Sequence, residues 1–181
     1  MRVCQRVTSL TAICLSLCCL TQLVGCGFHL RGATVGDVVV PAIYIDTARQ
    51  TAGDADIQRL LEKWLRQQDT RVTTAKEQAK WTVVLYPENR NRRVASVDAN
   101  GKAQEYELRY QLRFEVRDVQ GTLLLPNRVV SVTRQYAFNA EAVLSNAAEE
   151  QDLWHAMQQD AVGQIGYQLQ RLAARRGAAA P

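Results

Sequence analysis

Fourteen residues near the middle of the chain, QEYELRYQLRFEVR at 104–117, constrain the fold more than any other segment. Apolar residues occupy the even positions: Tyr106, Leu108, Tyr110, Leu112, Phe114 and Val116. The odd positions hold Glu105, Glu107, Arg109, Gln111, Arg113, Glu115 and Arg117. A period of two belongs to an extended strand, whose successive side chains leave opposite faces of a sheet. This strand therefore has one apolar face that needs a cover and one charged face left to water.

Its neighbours are legible on both sides. Asn100-Gly101 is a strong hairpin signal and predicts a two-residue type I′ turn. Before it, WTVVLY at 81–86 reads as a strand that continues through 92–98. After it, Gly121 marks a turn and RVVSVTRQYAF at 128–138 returns. VVVPAIYI at 38–45 is apolar on both faces, which suits a strand covered on both sides or paired in parallel; Pro41 cannot donate to a ladder and points to an edge or a bulge. Two amphipathic stretches supply the cover. In 54–68, Ile57, Leu60, Leu61, Trp64 and Leu65 recur at helical spacing, with Asp54 and Asp56 in the first turn where the helix dipole favours them. From 146 to 174, Trp154, Met157, Ala161, Ile165, Leu169 and Leu172 do the same, opened by Asn146 and Glu149 in the manner of a capping box. The order is strand, helix, three strands, helix. It predicts an α/β domain of the α+β type: a two-layer sandwich in which two helices cover a four-stranded mixed sheet. The domain should occupy 38–175, with 176–181 as a flexible tail.

All five cysteines, Cys4, Cys14, Cys18, Cys19 and Cys26, lie in the first 26 residues. They cannot close loops in the folded part, and two histidines, His29 and His155, are too few for a zinc site of the usual spacing. Arg2 and Arg6 precede LTAICLSLCCLTQLV at 10–24, an uncharged apolar run too short to span a bilayer comfortably. Residues 1–25 therefore read as a lipoprotein signal peptide. Leu23-Val24-Gly25-Cys26 resembles a bacterial lipobox, which implies cleavage before Cys26, a diacylglycerol thioether on its thiol and an acyl chain on its amino group. Residues 26–37 would then be a lipidated tether. Gly27, where an Asp would favour the inner membrane, points to the outer one.

Of 181 residues, removing 25 leaves 156, and 22 basic residues become 20 against 18 acidic ones. So balanced a chain lacks the charge excess of a nucleic-acid binder. It also lacks a G-x-S-x-G, a P-loop and an H-E-x-x-H, so no enzyme, metal or cofactor is expected beyond the covalent lipid. The arginines of ENRNRR at 88–93 carry more information. Across a two-residue turn, paired positions sum to 201, which places Arg93 opposite Leu108 on the apolar side. Arg134 shares a parity with Val130, Val132, Tyr136 and Phe138. An arginine in a core phase either snorkels at the end of the sheet or lines an anion site.

The opening Cys26-Gly27-Phe28-His29-Leu30-Arg31-Gly32 resembles the start of mature members of the LptE family, the lipopolysaccharide-assembly lipoproteins of Gram-negative outer membranes. Ala99-Asn100-Gly101, the strand holding Glu105-Tyr106, then Arg134-Gln135-Tyr136 and a long C-terminal helix follow the family order. The resemblance implies a two-layer α/β sandwich and a non-enzymatic role. Such a protein plugs and helps assemble the LptD β-barrel and assists lipopolysaccharide transport to the outer leaflet. It would be anchored by its lipid in the inner leaflet of the outer membrane and face the periplasm. Basic positions implied to meet lipopolysaccharide fall here on Ala99 and Ser131, so Arg92, Arg93, Lys102 and Arg134 nearby become the candidate contacts. The competing expectation is a free-standing outer-membrane lipoprotein that binds a small ligand or peptidoglycan.

Overall fold

The computed structural model describes residues 39–48 and 52–177. The signal peptide, Cys26, His29 and the tether lie outside them. The alternating segment becomes β5, Ala103–Asp118, 16 residues and therefore about 53 Å long at about 3.3 Å per residue. One edge of β5 is paired antiparallel with β6, Leu123–Ala137. Two strands share the other edge end to end. β3, Trp81–Leu85, pairs with residues 114–118, and β4, Asn89–Val97, pairs with 103–111. The continuous strand expected across 81–98 is broken between them, where Pro87 has no N–H to give a ladder.

β1, Ile43–Thr47, runs parallel to β3, and a two-residue strand the sequence did not announce, β2 (Val72–Thr73), runs parallel to β1. The open sheet thus holds the four expected strands as five pieces, with β2 as a sixth, ordered β2-β1-β3-β5-β4 with β6 on the far edge of β5. Pro41 precedes β1 and stays out of its ladder, so β1 is an inner strand after all.

Helix α1, Ala52–Gln67, carries the chain from the end of β1 back to β2 beside its start. Helix α2, Val143–Gly177, has 35 residues and a length of about 53 Å at 1.5 Å per residue. That matches β5, so one unbroken helix can follow the long strand from end to end. Arg176 and Gly177, expected in a flexible tail, are helical. Leu108, Tyr110, Leu112, Phe114 and Val116 from β5 meet Leu61 and Leu65 from α1 and Met157, Ala161, Ile165 and Leu169 from α2, all fully buried. Among the described residues every buried hydrophobic one lies between Val40 and Ala173. Among the described residues no helix is long and apolar enough to cross a membrane.

Both hairpins turn on the same device. In Asp98-Ala-Asn-Gly101-Lys102, the Asp98 carboxylate accepts from the N–H groups of Asn100 and Lys102, at 2.8 Å each. In Asp118-Val-Gln-Gly121-Thr122, Asp118 accepts from Gln120 and Thr122 at 2.9 and 2.8 Å. Gly101 and Gly121 sit at φ +78° and +82°. These are three-residue loops closing through a left-handed glycine, not the two-residue type I′ turn that Asn100-Gly101 suggested. The carboxylate decides it, because it satisfies two N–H groups that a tighter turn would handle otherwise. Asp118→Ala should cost about 1 kcal/mol in urea unfolding, and Asp118→Asn, which keeps the acceptor, well under that.

Asn146 does not open its helix. It lies inside α2, buried, where Nδ2 donates to the carbonyl of Asn139 at 2.6 Å and Oδ1 accepts from the Asn139 N–H at 3.3 Å. The side chain clamps the loop between β6 and α2 instead of capping.

Candidate functional site

The three-residue turn changes which arginine faces where. From Asn89↔Gln111 to Val94↔Tyr106, paired positions sum to 200, and the register then shifts around Ala95. Arg93 therefore faces Glu107 on the charged side of the sheet, not Leu108 as expected. Its Nε and Nη2 donate to the two Glu107 oxygens at 2.8 and 2.9 Å, a bidentate fork. Arg109 approaches the same carboxylate at 3.6 Å. The Arg93 hydrogen bonds hold the Glu107 carboxyl below its ordinary range, against the opposing effect of burial.

Arg92 takes the position across from Leu108 on the helix-covered side. It cannot stay in an apolar layer as a bare charge, so it reaches the rim. Its guanidinium lies over the Tyr106 ring, 4.6 Å from the centroid, and Nη1 donates to Glu150 of α2 at 2.8 Å. Glu150 is a hub. The Tyr136 hydroxyl donates to it at 2.8 Å and Trp154 Nε1 at 3.2 Å. Burial pushes the Glu150 carboxyl up, but the donors Tyr136, Arg92 and Trp154 outweigh it and hold it below its ordinary value. Burial, and then the charge beside it, push the Tyr136 hydroxyl up to about 12.

A second hub is Glu88, between β3 and β4. It accepts from the Tyr110 hydroxyl at 2.8 Å and from Gln158 of α2 at 3.1 Å, and pairs with Arg90 at 2.6 Å. Arg134 also lies opposite Leu108, from the β6 side, and meets Asp160 of α2 at 2.6 Å. Four rungs therefore join the β4 half of the sheet to α2: Arg92 and Tyr136 to Glu150, Arg134 to Asp160, and Glu88 to Gln158. Tyr106 stacks on Tyr136 with centroids 5.8 Å apart and meets Phe138 edge-on at 5.2 Å.

This arrangement fixes a sheet on a helix and supplies oriented charge. Glu150, with several donors around it, offers no proton near neutral pH. Among the described residues no group of three His, Cys, Asp or Glu could hold a metal ion. His155 meets Gln151 on the exposed side of α2.

The family model described as LptE, lipopolysaccharide-assembly, matches residues 40–169, from the start of β1 through most of α2. The chain belongs to the LptE family. Its function, in general terms, is lipopolysaccharide assembly. No curated protein matches it in sequence. Among solved structures it is similar to lipoprotein B from Nitrosomonas europaea, at 27% identity and a TM-score of 0.62 over 84% of this chain and 94% of that one. It shares its fold with rare lipoprotein B from Shewanella oneidensis, at 20% identity and a TM-score of 0.61 over 76% and 97% of the two chains. A minor lipoprotein from Acinetobacter baumannii aligns at 18% identity with a TM-score of 0.59, over 76% and 94%.

The four basic residues that the LptE resemblance suggested are not brought to one place. Arg92 and Arg134 bracket Leu108 on the helix-covered side, while Arg93 lies on the opposite, open face. Lys102 is exposed at the hairpin turn and is the one of the four without an ion pair among the described residues. Ala99 shares that turn, and Ser131 lies on β6 opposite Gln111. Sequence reasoning missed Glu88 and Glu150. Glu150 did carry a signal: it sits four and seven residues before Trp154 and Met157, a carboxylate in the apolar phase of its helix.

Proposed function

We propose that this chain is a lipoprotein acylated at Cys26 that sits in the lumen of an LptD-like β-barrel in the outer membrane, helps that barrel assemble, and assists the passage of lipopolysaccharide to the outer leaflet. The observation that carries the reading is the open face of the sheet. Along about 53 Å of β5, and across to β4 and β6, it presents Arg93, Glu107, Arg109, Gln111, Arg113, Thr133 and Gln135. No helix covers it. The interior of an outer-membrane barrel is polar, so a polar, rigid slab suits such a lumen where an apolar one would not. The lipobox before Cys26 supplies the anchor, and the interior clamps on Glu88 and Glu150 keep the slab from unfolding against the wall.

Arg92, Arg93, Lys102 and Arg134 are the proposed lipopolysaccharide contacts. Three would have to exchange a carboxylate for a phosphate, so Lys102 is the first to reach a ligand and Arg92 with Arg134 the next. The test is purification of the tagged protein from detergent-solubilised outer membranes. A large β-barrel recovered at about equal stoichiometry, with bound lipopolysaccharide reduced by Lys102→Gln and Arg134→Gln, is the expected result. A monomer that brings down neither would overturn the reading, and lipopolysaccharide unchanged by the substitutions would remove the proposed contacts.

A further inference from the structure

The arginines singled out by sequence are neutralised by partners in the fold; six of the described cations without an ion pair gather toward the other end of the domain. β1 and β3 start at that end, and their first residues are bracketed by basic ones. The Ile43 N–H donates to the carbonyl of Arg71 at 2.9 Å, and the Lys80 N–H donates to that of Ala42 at 2.8 Å. Lys76 lies in the 3₁₀ turn Lys76–Gln78 between them. Helix α2 begins beside Asn139 at the upper end, passes Trp64 of α1 at Gly163 and Gly166, and runs on to the base, where it ends with Arg171, Arg175 and Arg176.

Arg71, Lys76, Lys80, Arg171, Arg175 and Arg176 are all exposed, and none makes an ion pair among the described residues. Among the described residues the acids at this end are Asp69, Glu77 and Asp118, the last committed to its turn, while Arg66 and Arg117 are neutralised by Glu62 and Glu115. The upper end has the reverse balance. Asp98, Glu105, Glu141, Glu149 and Asp152 are without ion pairs there, against Lys102 alone. The domain is thus electrically bipolar along its long axis, and its described chain begins, at Val39, on the basic end.

We infer that this basal end docks on anionic phospholipid headgroups of the leaflet that holds the acyl anchor. Resting on the proposed attachment at Cys26, the inference gives the domain a fixed polarity: cations on the phosphate layer, acidic hairpin end away from it. Each Lys or Arg close to an anionic membrane strengthens binding about fivefold, and the effect fades within a Debye length. Half a dozen such residues at the foot of a tether add a second, charge-dependent hold to that of the lipid.

The test separates the two holds. Residues 26–181, which contain the whole described core, are prepared with Cys26→Ser so that no acyl chain contributes. Flotation is measured with vesicles of phosphatidylcholine alone and with phosphatidylglycerol added. Binding only to the second, released by high salt, is the expected result. Arg71→Gln with Lys80→Gln should weaken it about 25-fold, and Arg175→Gln with Arg176→Gln by a similar factor. Equal binding to neutral vesicles, no binding to either, or binding only when lipid A replaces phosphatidylglycerol would overturn the inference. Mass spectrometry of the wild-type chain from membranes tests the lipid on Cys26 separately, so a missing anchor and a failed docking surface give different results.

Discussion

Glu150→Ala should lower the stability of the domain by about 2–4 kcal/mol, read from urea unfolding. The substitution strands two buried donors, the Tyr136 hydroxyl and the Trp154 indole N–H, and each orphaned group costs about 1–3 kcal/mol. Arg92 adds less. Its side chain is 49% exposed, so losing that ion pair is screened by water and is worth no more than about 1 kcal/mol. Glu150→Gln keeps an acceptor and should cost about half as much. The pH dependence follows from the same contacts. The folded Glu150 carboxyl lies below its unfolded value near 4.5, so its contribution is fully present above that pH and is lost as the pH falls through the folded value. Tyr136 behaves in the opposite sense. With its hydroxyl raised from 10 to about 12, stability present below pH 10 is lost as the pH climbs to 12. The Glu150→Gln protein should show a shallower acid limb than wild type, and an unchanged slope would remove Glu150 as its cause.

The second large effect is expected at the contact between the helices. Gly166 lies against the Trp64 indole, and a Cβ added there would stand far inside van der Waals contact distance of Cε3, Cζ3 and Cη2. The ring cannot simply swing away, because Tyr167 meets it edge-on with centroids 5.5 Å apart. Gly166→Ala should therefore cost about 1–3 kcal/mol through overpacking, although alanine is the better helix former by about 1 kcal/mol. That opposition gives the test. In a Trp64→Ala background the clash is gone and Gly166→Ala should become stabilising by up to about 1 kcal/mol. If the substitution is destabilising in both backgrounds, the Trp64 contact is not what the glycine serves. Gly163, whose added Cβ would stand 3.7 Å from Trp64 Nε1, should tolerate alanine.

These contacts mark where the sequence stops being readable. The element types were plain because period dictates them: the even-position stripe of 104–117 became the buried row of β5, and the stripes on both helices became the core. Register was not plain. It depended on Asp98, whose carboxylate favours a three-residue loop, and on an irregularity near Ala95. That one-residue difference exchanged Arg93 for Arg92 on the helix-covered face, because side chains alternate with a period of two. The two glutamates that organise the site could not be matched with partners in advance either. Glu150 receives bonds from β4, β6 and α2, and Glu88 from β5 and α2, over separations up to 70 residues. A single sequence carries no record of such pairings. Gly166 is likewise silent until Trp64 is placed against it.

The parallel pairing of β1 has a consequence for the order in which the molecule can be built. Ile43 bonds laterally to Val72 and Trp81, both well downstream, so the first strand to be synthesised has neither neighbour when it emerges. β4, β5 and β6 are different: β4 meets β5, and β5 meets β6, across a three-residue loop, and these local closures are fast. A chain made from its N-terminus would therefore assemble its long hairpins first and seat β1 later. Until then Ile43 and Ile45, fully buried at the end, stay exposed beside an unfinished sheet.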